Sequence, residues 1–132
     1  MDGKLKHLDF IQNVINRLAT NSFLIKGWSV VLVSALFALA AGGSKVAFVY
    51  LAYVPAVVFW GLDGYFLMLE RAYRRHYDRV RVRKPEDIDF SMDIGDLRGG
   101  FSAWSDATLS KTLIPFHGAL IGAVLIVMLI HP

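Results

Sequence analysis

Three ionisable residues interrupt long apolar runs, and they are the positions at which this sequence could do chemistry: Lys26, Asp63 and His117. Ionisable groups in an apolar environment are costly and are usually paired with one another. One interpretation is a structural Lys26–Asp63 pair, or a Lys26 side chain that extends to lipid headgroups. The other is a polar ring that lines a pore, in which His117 provides a proton-sensitive contact.

The apolar runs that carry these residues cover 23–41, 46–69 and 113–130. About 20 apolar residues cross the roughly 30 Å hydrocarbon core of a bilayer, so each run is long enough to be a transmembrane helix. The runs are continuous rather than alternating, which argues against transmembrane strands. If the first two helices form a hairpin that turns near Gly43, the three ionisable residues come to a similar depth.

Composition supports an integral membrane protein with an all-α fold. The chain has 132 residues, of which 55% are hydrophobic and 19% are charged. Soluble domains carry about 25% charged residues, and a domain of this size has too little interior to bury so much apolar surface. The sequence therefore predicts one membrane domain over 1–132 with three transmembrane helices. The absence of cysteine excludes disulfides and cysteine chemistry.

The basic residues give the predicted orientation. Of the 14 lysines and arginines, all except Lys45 lie within residues 1–26 or 70–111. The positive-inside rule assigns these segments to the cytoplasm, with the N-terminus inside and the C-terminus outside. An arrangement in which only the first two runs cross remains the alternative. Residues 1–22 lack the apolar core of a signal peptide, so we expect the first run to be retained.

Two segments outside the runs have helical patterns. In residues 1–22, apolar residues recur at heptad spacing, which predicts an amphipathic helix. This helix could lie in the membrane interface, pack against a partner, or fold onto the chain's own cytoplasmic segment. Residues 70–110 are predicted to extend the second transmembrane helix as far as Lys84, where Pro85 ends it. The acidic stretch that follows, 86–93, reads as a short strand or an extended loop.

The basic extension predicts a contact surface. Its candidate residues for lipid headgroups or a partner protein are Arg71, Arg74, Arg75 and Arg79. Arginines directly after a membrane exit set topology and contact anionic lipids. Intramolecular pairing with the acidic residues of 86–96 is the main alternative. Nucleic acid binding is less favoured, although tyrosines interleave with the arginines.

Small residues mark candidate helix-packing faces: Gly118 and Gly122 in the third run, and Ser34 and Ala38 in the first. Small residues let helix backbones approach closely in lipid. The spacing alone leaves open whether these faces pack within one protomer or form a homo-oligomer.

Enzymatic signals are absent from the sequence. The four histidines are scattered, without metal-ligand spacing. There is no phosphate-binding loop, dinucleotide-binding turn or nucleophile elbow. We therefore predict a protein that is not an enzyme and uses no cofactor or metal.

Five segments carry a resemblance: HLDFIQNVINR (7–17), NSFLIKGW (21–28), LFALA (36–40), FWGLDGYF (59–66) and DIDFSMD (87–93). Their order resembles a group of small bacterial membrane proteins without an established activity. More loosely, the cytoplasmic helix, membrane hairpin and helical extension look like the SLATT class of bacterial conflict systems, although the third span departs from that class. The SLATT resemblance implies a membrane effector in antiviral defence and supplies no catalytic residues.

These observations lead to three function hypotheses. The first is an oligomeric effector in the bacterial inner membrane that alters membrane permeability. The second is a non-conducting scaffold or accessory subunit that docks a cytoplasmic protein. The third and weakest is a small ion or proton carrier.

Overall fold

The computed structural model describes residues 2–41 and 47–130. Within these residues the chain is helical and contains no β-strand, so the predicted all-helical class is confirmed. The helices are α1 (Asp2–Ala41), α2 (Ala47–Leu51), α3 (Tyr53–Arg81), α4 (Phe101–Thr108) and α5 (Ile114–Ile130), with a 3-10 turn at Pro85–Asp87. The hairpin turn predicted near Gly43 and the residues 131–132 lie outside the described residues.

Helix α1 joins two segments that the sequence analysis kept separate, the amphipathic helix of 1–22 and the apolar run of 23–41. It is one helix of 40 residues, or about 60 Å at 1.5 Å per residue. No glycine or proline occurs between Lys4 and Lys26, so nothing in this stretch interrupts the backbone hydrogen bonds.

The second apolar run is divided, and its extension is shorter than predicted. Helices α2 and α3 are separated by a turn at Ala52, three residues before Pro55. Pro55 has no N–H to donate to the carbonyl four residues earlier, and its ring crowds that carbonyl. At the other end, α3 stops at Arg81 rather than Lys84. Lys84 is extended, with ψ of 147°, because the following proline disfavours the helical region.

The three long helices run alternately up and down. Helices α1 and α3 are antiparallel, because Val33 packs near Ala56 while Ile11 packs against Val80 at the other end. Helix α5 is antiparallel to α3, since the Tyr53 hydroxyl donates to the Met128 sulfur at 3.5 Å. Helices α1 and α5 are therefore parallel neighbours on the same side of α3.

The fold has two halves of different character. The apolar half comprises 23–41, 47–69 and 114–130, and many of its large side chains are exposed, such as Phe23 and Trp28. The polar half comprises 2–22 and 70–113. Buried side chains follow the whole bundle in three clusters: Val33, Ala52, Ala56 and Val124; Leu67, Met68, Ala107 and Leu113; Ile11, Ile15 and Val80.

Two stretches are long and apolar enough to cross a membrane: helix α1 and the combined stretch of α2 and α3, Ala47–Arg81. Helix α5 is also apolar but has 17 residues. All three stretches carry their apolar residues at the same end of the bundle.

Candidate functional site

Asp63 of α3 is the centre of a polar cluster that joins three helices. Its Oδ2 lies 2.7 Å from Lys26 Nζ of α1 and 2.7 Å from His117 Nε2 of α5. The Ser22 hydroxyl donates to Oδ1, and Lys26 donates to the Ser22 hydroxyl at 2.8 Å. The structure thus brings together the three ionisable residues singled out from the sequence.

The cluster is closed to its surroundings. The side chains of Asp63 and His117 are 0% exposed, and that of Lys26 is 23% exposed. The charges of Lys26 and Asp63 balance, so the cluster is neutral when His117 is neutral. Buried charges are retained in an apolar environment when they are paired and hydrogen-bonded, and the Asp63 carboxylate has three such partners.

Ser22 belongs to the cluster although the sequence analysis did not select it. It lies four residues before Lys26 in α1, so the two side chains share a face of the helix. That spacing is the signal that could have identified it. Its hydroxyl completes the cluster because it accepts from Lys26 and donates to Asp63.

Two tryptophans fix the surroundings of His117 and Asp63. The Trp60 ring stacks on His117 with centroids 5.9 Å apart and an interplanar angle of 5°. Trp60 Nε1 donates to the Thr108 carbonyl at 2.8 Å, while Trp104 Nε1 donates to the Gly61 carbonyl at 2.9 Å. These two reciprocal bonds join α3 to α4 directly beside the cluster.

The small residues selected as packing faces have open space beside their glycines. Ser34, Ala38 and Gly118 are exposed, and Gly122 is partly exposed. Among the described residues, a Cβ added at Gly122 would meet no atom within 4 Å, and one at Gly118 would meet only Ile114 of its own helix at 4.0 Å. Both glycines therefore leave room for another helix, and the choice between packing within one protomer and a homo-oligomer stays a prediction.

A groove of about 540 Å³ lies between α1 and α5, next to these small residues. Its wall on α1 is Val30, which is four residues before Ser34. Its wall on α5 is formed by Pro115, Phe116, Ala119, Leu120 and Ala123. The two parallel helices thus leave an apolar groove on the surface of the bundle.

The four candidate arginines divide into two pairs. Arg75 donates to the Leu97 carbonyl at 2.7 Å, and Arg79 pairs with Asp96 at 2.5 Å, so these two hold the segment after α3. Arg74 pairs with Glu70 on its own helix at 3.2 Å, and Arg71 is partly exposed. The alternative weighed from the sequence, pairing with the acidic residues of 86–96, describes Arg79. Arg75 is held instead by the backbone carbonyl of Leu97.

The guanidinium of Arg79 lowers the pKa of its partner Asp96. Its hydrogen bond holds the pKa of the Asp96 carboxyl below its usual range. The pKa of Asp89 is also lowered, chiefly because the backbone N–H of Ser91 donates to its carboxylate at 3.0 Å. Both carboxylates are exposed, so solvent screens these interactions.

The part of the chain that the structure describes contains no group of three histidine, aspartate or glutamate side chains arranged to hold a metal ion. The polar cluster has one carboxylate, already occupied by three partners. Its chemistry is that of charge pairing and hydrogen bonding.

Fold and site together define a class, an all-helical protein with two stretches fit to cross a membrane and a buried polar cluster between helices. No model of a known protein family, no curated protein and no solved structure matches the chain significantly.

Proposed function

We propose that the chain is an integral protein of the bacterial inner membrane with three transmembrane segments. Two stretches of sufficient length and apolarity, and the wholly apolar α5 beside them, support this arrangement. In the proposed orientation the polar half and the N-terminus are cytoplasmic, and the C-terminus is outside. The large exposed side chains of the apolar half then face lipid rather than water.

Within that membrane we propose an oligomeric effector that alters membrane permeability, acting in antiviral defence as the resemblance implies. The observation that carries the proposal is the closed cluster of Lys26, Asp63, His117 and Ser22. Polar groups at such a depth are expensive, and they mark functional positions in membrane proteins by default. Among the described residues of one protomer, Asp63 and His117 are fully buried, so neither side chain lines a water-filled path.

The proposed mechanism is an exchange of partners between two states. In the closed state the Asp63 carboxylate is satisfied within the protomer by Lys26, His117 and Ser22. The other ring nitrogen of His117, Nδ1, is buried without a hydrogen-bond partner among the described residues. If α1 or α5 moves away from α3, Asp63 must meet water or the polar groups of another copy, since lipid cannot satisfy it. Association of several open copies would then line a polar path across the membrane.

The experiment uses the full chain reconstituted in vesicles of phosphatidylethanolamine and phosphatidylglycerol that contain a trapped dye. Lys26→Met removes the charge partner of Asp63 and should increase dye release. Lys6→Met is the matched control, because it makes the same change at an exposed position of the same helix. If Lys26→Met vesicles retain their dye as tightly as protein-free vesicles, while the protein is folded and inserted, the effector proposal is wrong.

A second candidate, a non-conducting scaffold that docks a cytoplasmic protein, is favoured by a different observation. The polar half is itself folded, with Ile11, Ile15 and Val80 buried in a cluster of their own. It also exposes large apolar side chains at its surface, with Phe101 79% and Val82 76% exposed. Intact vesicles together with a co-purifying partner that Phe101→Ser releases would support the scaffold.

A further inference from the structure

The segment 88–97, which we call the strap, lies across both long helices of the polar half. Ile88 and Met92 of the strap pack against the cluster of Ile11, Ile15 and Val80. The Tyr73 hydroxyl of α3 donates to the Met92 carbonyl at 3.2 Å. The strap therefore covers the seam between α1 and α3.

Two buried histidines hold the centre of the strap. His7 of α1 is 0% exposed and His76 of α3 is 1% exposed. Their Nε2 atoms lie 2.9 Å and 2.7 Å from the same acceptor, the Ser91 carbonyl oxygen. Because a carbonyl oxygen only accepts, both Nε2 atoms carry hydrogen. One strap carbonyl thus ties together two helices.

The second ring nitrogen of His76 shows that this ring is neutral in this state, and that of His7 has no acceptor for an added proton. Nδ1 of His76 lies 2.8 Å from Arg79 Nη2. A guanidinium only donates, so Nδ1 of His76 must be unprotonated to accept. Nδ1 of His7 is buried and has no hydrogen-bond partner among the described residues. A proton added there would become a buried donor without an acceptor.

The surrounding charges also favour the neutral form of His76. Burial lowers the pKa of His76 below its ordinary value, and Arg79, His7 and Arg83 lower it further, while the bond to the Ser91 carbonyl opposes them. The strap faces the pair with two carboxylates, Asp89 and Asp96, but each is engaged by an arginine, Arg83 and Arg79 respectively. The histidine pair therefore lies in a setting that favours the uncharged rings.

We propose that the strap is a proton-released latch, closed on α1 and α3 while His7 and His76 are neutral and released when they take up protons. Protonation of His76 breaks its bond from Arg79 and places two cations side by side. Protonation of both rings also places two positive charges at centroids 5.6 Å apart. Release would uncover the seam that Ile88 and Met92 cover.

The pH range follows from the sign of the shift. Because the pKa of His76 is lower in the closed state, the closed state is favoured fully above the ordinary value of about 6.5 and weakens as pH falls below it. His76 alone reduces the ratio of closed to released strap by up to about tenfold per pH unit in that range.

The absence of cysteine makes a direct test possible. Asn13→Cys on α1 and Asp93→Cys on the strap, both exposed, carry spin labels in the otherwise unchanged chain in lipid nanodiscs. We expect one short label distance at about pH 7.5, a longer and broader distribution at about pH 5.5, and reversal on return to the higher pH. Unchanged helical circular dichroism shows that the change is local.

Three variants separate the latch from general acid sensitivity. In His76→Gln and in His7→Gln with His76→Gln, an amide donates in place of Nε2 but does not titrate, so the strap should stay closed at about pH 5.5. Lys84→Gln, an exposed change outside the strap, should respond to pH as the original chain does. A distance that is the same at both pH values in the original chain would overturn the proposal. So would a pH midpoint that the glutamine variants do not change.

Discussion

Gly64 of α3 and Thr108 of α4 lie so close together that the glycine admits no side chain. A Cβ built on Gly64 would be 3.0 Å from Thr108 Cβ and 3.1 Å from its Cα, and closer still to the hydroxyl. Gly64 directly follows Asp63, and Thr108 provides the carbonyl that Trp60 binds. The contact therefore sets the distance between α3 and α4 directly beside the polar cluster.

Gly64→Ala should destabilise the fold, although alanine is ordinarily the better helix residue. Overpacking of this kind costs roughly 1–3 kcal/mol, more than the gain in helix propensity of about 1 kcal/mol. Gly122→Ala is the matched control: nothing lies within 4 Å of its added Cβ, so it should be neutral or stabilising. Denaturant unfolding in detergent measures both changes. Equal midpoints for the two variants would contradict the close approach.

The Lys26–Asp63 pair should show strong coupling in a double-mutant cycle. Lys26→Met leaves a fully buried carboxylate without its cation, and breaking a buried pair costs roughly 3–5 kcal/mol. Adding Asp63→Asn should restore most of that stability, since the amide oxygen can still accept from His117. The free energy of unfolding is measured for both single variants and the double.

Additive effects in that cycle would mean that Lys26 and Asp63 do not interact. The cycle also bears on the proposed function when dye release is measured on the same proteins. If the double variant recovers stability but does not permeabilise vesicles under any condition that activates the original chain, the charges serve the membrane activity and not only the fold.

The three ionisable residues of the polar cluster could be predicted from the sequence because their depths along the helices follow from counting residues. Lys26 and Asp63 are rare charges in apolar runs, and a hairpin of two continuous helices brings them to one level. His117 enters α5 at a matching depth. Only the rise per residue of a helix and the up-and-down order of the three apolar runs were needed.

The partners that surround the cluster could not be predicted in the same way. The stacking of Trp60 on His117 and the contact of Gly64 with Thr108 depend on the placement of α4, a helix of eight residues joined by irregular segments. Likewise, His7 and His76 both bind the Ser91 carbonyl, which lies in an extended loop. His7 and Ser91 are 84 positions apart in the sequence. No periodic pattern encodes either arrangement.

In the variant with both His7→Gln and His76→Gln, whose strap should stay closed at about pH 5.5, stronger acid should still release the strap. The pKa values of Asp89 and Asp96 are lowered in the closed state, so their contribution is present above the ordinary value of about 3.9 and is lost as pH falls below it. Adding Asp96→Asn should reduce this transition. Asp78→Asn, which affects an exposed pair within α3 at 3.9 Å, is the control. The label distance between residues 13 and 93 measures the transition, and a distance in the double glutamine variant that stays the same below about pH 3.9 would contradict the assignment.

Association through α5 should depend on its two glycines while the protomer does not. Leucine at Gly118 or Gly122 meets open space in the described structure, so the fold and the polar cluster should be retained. If a second copy packs against this face, the same leucines hold the helix backbones apart and should lower association by tenfold or more, which corresponds to at least about 1.4 kcal/mol. Gly27→Leu provides the comparison. An added Cβ at Gly27 also meets no atom within 4 Å, but Gly27 lies on α1 rather than α5, among Phe23, Leu24 and Trp28.

Native mass spectrometry in mild detergent and in lipid nanodiscs measures the stoichiometry of the three variants. We expect the original chain and Gly27→Leu to form the same oligomer, and the two α5 variants to shift toward the monomer. Equal loss in all three would indicate nonspecific association of apolar surfaces. A monomer for the original chain in both environments would remove the oligomer from the proposed function, because one protomer cannot enclose a water-filled path while Asp63 and His117 remain buried.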